Sequence, residues 1–444
     1  MIDFLEILLP LVVVALLIIL RLVNLRFLFG ENSYLSLFMY YNLLGVAWLG
    51  AFLVNINVIG EARLSVISQS TKTDIFLLVT FAVITQLIFF IIYGSFKKKN
   101  KVIRPASFSH MANHSLYQYK IVAVILLFAI SCYSIVKVFL FYKYSPVLLA
   151  LKGDLIGAAL MRADIQNGVV NVDLKYISKM ISYFAFYLPI YTFVLNAIFK
   201  KRILTLLFFI SLINAFILLG FDGQKSTILL LLLMLLVTRL YLFGFSFYIL
   251  IYSFVFVSSV LLVFYLMLPG DFDLLVLIQR ISDRLLSGQN QGMYFIYQYY
   301  EQSYTGIFSD FFFSGAFGLN EIKPDEIIAS YIYDDTEHIV NVNTFYVGEL
   351  LAFFGGYGAL IFSIIIPVII VFYVCFFDKL ISKDFIIYWP MSLIFFTLLP
   401  INQSFQFLIY QKSFLYFMVF CILPVFVTFW VVKKLQYIKI NSNV

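Results

Sequence analysis

Residues 218–235 read LLGFDGQKSTILLLLLML. Two strongly apolar runs meet at Asp222, Gln224 and Lys225. A hydrocarbon core about 30 Å thick asks for roughly 20 apolar residues of helix, so runs of this kind are built to lie in lipid. A polar stretch this short returns the chain across the same barrier, and the segment reads as a membrane hairpin. The rest of the chain agrees: of 444 residues, 63% are hydrophobic and only 12% charged, far from the balance of a water-soluble domain.

Working outward, apolar runs bounded by charge fall at 4–20, 34–54, 75–94, 121–142, 180–199, 203–219, 226–243, 246–268, 346–376, 385–400 and 407–432. The expected architecture is an all-α polytopic membrane protein of about eleven transmembrane helices. Residues 1–444 form a single integral membrane domain, with two long extracytoplasmic loops at 143–179 and 269–345. The first run carries Asp3 and Glu6 where a cleaved signal has a basic head, which argues against a signal peptide.

Lysine and arginine bias sets the orientation, because cationic loops resist translocation. Placing KKKNKVIR (97–104) in the cytoplasm puts 17 basic residues inside and 12 outside, with Lys137 within a span. The amino terminus is then outside and the carboxyl terminus inside. The net charge of +7 reports this topology and attraction to anionic lipid heads, and with no basic stripe at helical spacing it does not argue for nucleic acid. Cys132, Cys375 and Cys421 lie apart in separate spans, and His110, His114 and His338 form no ligand cluster, so no metal site or cofactor is expected.

In this topology GFDGQKS (220–226) is an outer turn between two spans that each reach only about 26 Å at 1.5 Å per residue. Lys225 then sits near the outer interface. An ammonium at membrane depth costs about 2.5–3.5 kcal/mol and asks for an anionic partner. The plainer alternative is a glycine turn with Lys225 snorkelling to water.

The first outer loop contains LKGDLIGAALMRADIQNG (151–168), in which Asp154 can cap a short helix lying at the interface and carrying Arg162. A guanidinium there can grip phosphate bidentately or be solvated. In the second loop, RISDRLLSGQNQGMY (280–294) puts Arg280 and Arg284 on one helical face, a suitable diphosphate clamp unless Asp283 holds Arg280 as an ordinary surface pair. Gln289, Gln291 and Tyr294 follow, with chemistry suited to sugar hydroxyls and pyranose faces. The loop ends in NVNTFYVGELLAFFGGYG (341–358), where Asn343 precedes a long apolar span with Glu349 in its first turns. Glu349 either answers the helix dipole or serves as general base toward an acceptor hydroxyl, and His338 is a second candidate base. Gly355, Gly356 and Gly358 suggest close helix packing behind it.

On MRADIQNG, GFDGQKS, RISDRLLSGQNQGMY and NTFYVGELLAFFGGYG, the sequence resembles the O-antigen polymerase group, the oligosaccharide repeat unit polymerases of bacterial surface polysaccharide synthesis. The first 140 residues match that group only in hydropathy. The resemblance implies a fold similar to C-type lipid-phosphosugar glycosyltransferases and a metal-independent glycosyltransferase in the bacterial inner membrane, its site facing the periplasm. The donor and acceptor it implies are undecaprenyl-pyrophosphate-linked oligosaccharides, and the partners are membrane lipids and a chain-length regulator protein. Pyrophosphate binding is carried by resemblance to Arg162, Arg280 and Arg284, and the division between donor and acceptor loops stays open. Two rival readings are an O-antigen ligase, which differs in acceptor, and a polysaccharide flippase, which should carry ionisable groups along a central path.

Overall fold

The computed structural model describes residues 4–23, 25, 27, 32–60, 64–97, 113–166, 170, 175–221, 225–245, 247–248, 251, 255, 282, 286–309, 311, 314–319, 323–332, 342–399, 401, 405–409 and 412–441. Among them all regular structure is helical. In chain order the helices are α1 (Phe4–Leu22), α2 (Ser33–Asn55), α3 (Gln69–Phe96), α4 (Asn113–Phe141), α5 (Pro146–Leu151), α6 (Leu155–Gln166) and α7 (Lys175–Phe199). There follow α8 (Arg202–Gly220), α9 (Lys225–Phe243), α10 (Gln291–Tyr299), α11 (Pro324–Ile332), α12 (Tyr346–Lys383), α13 (Phe385–Thr397) and α14 (Phe414–Ile438).

Among the described residues, 8 helices are long and apolar enough to cross a membrane: α2, α3, α4, α7, α8, α9, α12 and α14. The chain is thus an all-helical, multi-pass membrane protein by length and composition. Expected spans 4–20 and 385–400 coincide with shorter apolar helices, and 246–268 lies almost wholly outside the described residues. The last expected span, 407–432, overlaps helix described over Gln406–Ile409 and from Lys412 onward, with Phe414–Ile438 long and apolar enough to cross.

The centre of the bundle is α13, every residue of which is buried. A helix apolar on all sides belongs in a core, and α2, α7, α9 and α12 surround this one. Asp384 starts it as N-cap, accepting the Ile387 N–H at 3.1 Å. At about 20 Å, α13 stops short of a full crossing, and the chain beyond it stays within reach of buried residues: Tyr346 N–H donates to the Ile401 carbonyl at 2.9 Å. Outside the core, Leu206, Phe209 and Ile213 on α8 and Ile361 and Phe372 on α12 are exposed, the surface a lipid solvent calls for. Interhelical polar contacts are sparse but specific: Thr192 to Ser211 at 3.1 Å, Thr205 to Asn196 at 3.0 Å and Asn214 to Ser131 at 3.2 Å. Contacts of this kind contribute about 1 kcal/mol each.

The bundle has two distinct ends. At one, Asp378 accepts from Lys97 at 2.8 Å, from Tyr34 at 2.8 Å and from Tyr93, while Asp384 accepts from Tyr119 at 2.8 Å. At the other, Asn55 and Gln69 join α2 to α3, and α10 packs over both. Arg21, Lys97, Lys200, Lys201, Arg202, Lys379 and Lys383 lie at or beside the ends of α1, α3, α7, α8 and α12.

The α12 stretch departs from the expected single span. Gly355 has φ 66° and ψ −171°, a conformation essentially confined to glycine, and the helix breaks there. The Phe354 and Phe362 rings stack across the break with centroids 4.7 Å apart. In a straight helix residues eight apart are separated by about 12 Å along the axis, so the chain bends at Gly355 and the 346–354 arm turns against 356–383. Glu349 lies in the first turn of α12, as expected, on the buried 346–354 arm ahead of the break. The close packing expected of this glycine cluster holds at two of its three positions: a Cβ on Gly355 would lie 2.7 Å from Gln302 Oε1, and one on Gly358 would run into the Phe354 side chain. A Cβ on Gly356, by contrast, meets nothing within 4 Å.

Candidate functional site

Three stretches converge at the Asn55 end: 289–293, 342–349 and 405–406. Gly292 N–H donates to the Asn343 carbonyl at 3.1 Å, and the Asn343 side-chain amide donates to Gln289 Oε1 at 3.0 Å. The close contact between α10 and the 346–354 arm falls on glycines: a Cβ on Gly348 would lie 2.6 Å from Met293 Cβ, and one on Gly292 would lie 2.5 Å from Thr344 Cγ2. These two glycines are a second place of tight packing, beyond the 355–358 cluster.

Glu349 is buried at this junction. Its Oε2 accepts the Phe405 N–H at 2.8 Å and its Oε1 accepts from Gln406 Nε2 at 3.2 Å. Both contacts tie the carboxyl to the start of the short helix Gln406–Ile409. Gln291 is buried at the start of α10. Tyr294 is wholly buried and its hydroxyl has no hydrogen-bond partner. An unsatisfied buried hydroxyl costs about 1–3 kcal/mol, a penalty that a polar ligand would relieve.

α10 is positioned from outside this junction. Asn290 Nδ2 donates to the Val46 carbonyl at 2.6 Å, on the π-helical part of α2 (Leu37–Leu49), where widened turns shift the usual carbonyl pairing. Gln298 accepts the Ser68 N–H at 2.8 Å and donates to the Val66 carbonyl at 3.2 Å. Tyr297 donates to Asp74 Oδ2 at 2.9 Å. Burial pushes the Tyr297 phenol up from its ordinary value, and the adjacent carboxylate adds to the shift.

Other candidates occupy different places. Arg162 is half-buried on α6, whose start is capped as expected, with Gly157 N–H donating to Asp154 Oδ1 at 2.8 Å. Lys225 opens α9, and its side chain lies outside the described residues, as do Arg280, Arg284 and His338. The turn before Lys225 is closed by Thr227 Oγ1 donating to the Leu219 carbonyl at 2.9 Å, and it is tied to the first loop by Ser145 Oγ donating to the Phe221 carbonyl at 3.2 Å.

The cation that the sequence places within a span has a place at this end. Lys137, buried on α4, holds its ammonium 4.7 Å from the centroid of the Phe221 ring, beside the GFDGQKS turn. Its signal was a lysine inside an apolar run, a residue that needs a partner at that depth. No protein-family model, curated protein or solved structure matches the chain.

Proposed function

We propose that the protein is a glycosyltransferase that polymerises undecaprenyl-pyrophosphate-linked oligosaccharide repeat units at the outer face of the bacterial cytoplasmic membrane. The observation that carries this reading is the joining of RISDRLLSGQNQGMY and NTFYVGELLAFFGGYG, two of the stretches on which the resemblance rests. They meet through Gly292–Asn343, Gln289–Asn343 and Met293–Gly348, with Glu349 and the unpartnered Tyr294 hydroxyl in the same assembly. In this reading Gln289, Gln291, Tyr294 and Asn343 meet sugar hydroxyls. Arg162, Lys225, Arg280 and Arg284, with Lys137 added, hold the pyrophosphate as it departs. Glu349 or His338 takes the proton from the attacking hydroxyl. Negative charge grows on the leaving group, so a preorganised cationic site lowers the barrier more than it stabilises the bound donor.

The test uses the full chain in proteoliposomes with a lipid-pyrophosphate repeat unit and no nucleotide sugar, products being sized on a gel. A ladder of added repeats is expected, shortened or lost in Arg280→Ala and Arg284→Ala. Absence of any ladder, or a requirement for nucleotide sugar, overturns the reading. Transfer to a lipid core acceptor alone makes the protein a ligase instead. Unchanged ladders in both arginine variants remove those residues from the mechanism.

A further inference from the structure

A second feature of the Asn55 end lies apart from the Glu349 junction. Between α3 and the 356–383 arm of α12 is a groove of about 530 Å³, lined by Leu77, Leu78, Phe81 and Leu360 along its floor. Asp74, Tyr297 and Tyr357 stand with Gly356 around it. The volume falls in the roughly 300–1,000 Å³ range of small-ligand sites. Its walls belong to two helices that cross the membrane, so hydrocarbon is the medium they face.

The polar groups are not spread along the groove. Asp74 lies in the second turn of α3, where the sequence passes from QSTKTD to an apolar run, so the carboxylate marks the interfacial end. Tyr297 engages one of its oxygens, Oδ2, at 2.9 Å. The nearby Lys72 ammonium is directed elsewhere, to Asn57 Oδ1 at 2.7 Å. Tyr357 is 87% exposed and presents its ring beside the same groove. Gly356 leaves the wall open, since a Cβ there would meet nothing within 4 Å.

We infer that this groove is a binding site for a phospholipid with a primary ammonium head. One hydrocarbon chain lies along Leu77, Leu78, Phe81 and Leu360, and the ammonium sits on Asp74 between the rings of Tyr297 and Tyr357. The charge decides the class of head. A carboxylate at the mouth repels a lipid whose head is a bare phosphate or pyrophosphate, whereas a –NH₃⁺ group supplies three donors and is attracted both to the carboxylate and to aromatic faces. The site is therefore separate from any pyrophosphate site and does not depend on the proposed polymerase activity.

The experiment is native mass spectrometry of the full chain, delipidated and then offered equal amounts of dioleoyl phosphatidylethanolamine, phosphatidylcholine and phosphatidylglycerol. Preferential retention of one ethanolamine lipid, about fivefold over either competitor, is expected; this ratio corresponds to about 1 kcal/mol. Asp74→Asn should bring the three lipids to parity, and Gly356→Phe should fill the groove and abolish retention. If Gly356→Phe fails to fold, the surface substitution Asp74→Asn still decides. Equal retention of the three lipids by the wild type, a preference untouched by Asp74→Asn, or displacement by dodecyl maltoside as effective as by ethanolamine lipid overturns the inference.

Discussion

Asp384 shows how one side chain serves two structural roles at a cost. It caps α13 and accepts from Tyr119 at 2.8 Å, yet burial pushes its carboxyl above the ordinary 3.8, and the hydrogen bonds from Tyr119 and the backbone offset this only in part. A carboxyl raised in the folded state binds its proton more tightly there than in the unfolded chain. Its ionisation therefore removes stability as pH rises through the raised value. Asp384→Asn keeps a good N-cap and cannot ionise. Its thermal midpoint should match wild type near pH 4 and exceed it increasingly toward about pH 7, following the carboxylate titration. A midpoint gap that does not change with pH would show that ionisation of Asp384 is not what costs stability.

At the scale of elements, the break in α12 is what turns a continuous apolar stretch into a folded-back arm. Gly355→Ala forces a side chain into a conformation that costs about 1–3 kcal/mol. Its Cβ would also lie 2.7 Å from Gln302 Oε1. Gly348→Val instead drives bulk into Met293, with overpacking of about 1–3 kcal/mol. Both variants should lower the thermal midpoint in detergent, whereas Gly356→Ala, which meets open space, should leave it unchanged. A Gly356→Ala loss equal to that of Gly355→Ala would mean that the break is not where the backbone places it.

Across the whole molecule, an aromatic layer separates the two ends. Phe38 packs against Phe90 at 6.4 Å and Phe396 at 6.0 Å, and Phe377 joins Phe396 at 5.8 Å, directly above the Asp378 cluster. Below it the Lys97–Asp378 pair clamps the start of α2 to the ends of α3 and α12, with Asn32 also accepting from Lys97 at 3.3 Å. Removing one partner of a poorly exposed pair costs on the order of 3 kcal/mol. Asp378→Ala should therefore destabilise strongly, while Asp378→Asn, which still accepts from Tyr34 and Tyr93, should lose less. Equal losses would mean that the charge, not the acceptor geometry, holds this end. Sidedness is a separate matter: cysteines placed at Ser70 and Lys383 should react with an impermeant thiol reagent from opposite faces, Ser70 from outside, and the reverse pattern would invert the orientation.

Composition and run length by themselves determined that the chain is helical and multi-pass, because the cost of unsatisfied backbone in hydrocarbon leaves a long apolar run no other form. The Asp154 cap was legible too, because a carboxylate ahead of a helix answers its free N–H groups. Sequence could not show that α13 is the buried centre, since apolar residues facing lipid and apolar residues facing protein are written alike. Nor could it show the stacking of Phe354 on Phe362 across the break, the meeting of Glu349 with Phe405, or the facing of Lys137 on Phe221. Those depend on which helices are neighbours, and neighbours are chosen by packing between residues far apart in the chain.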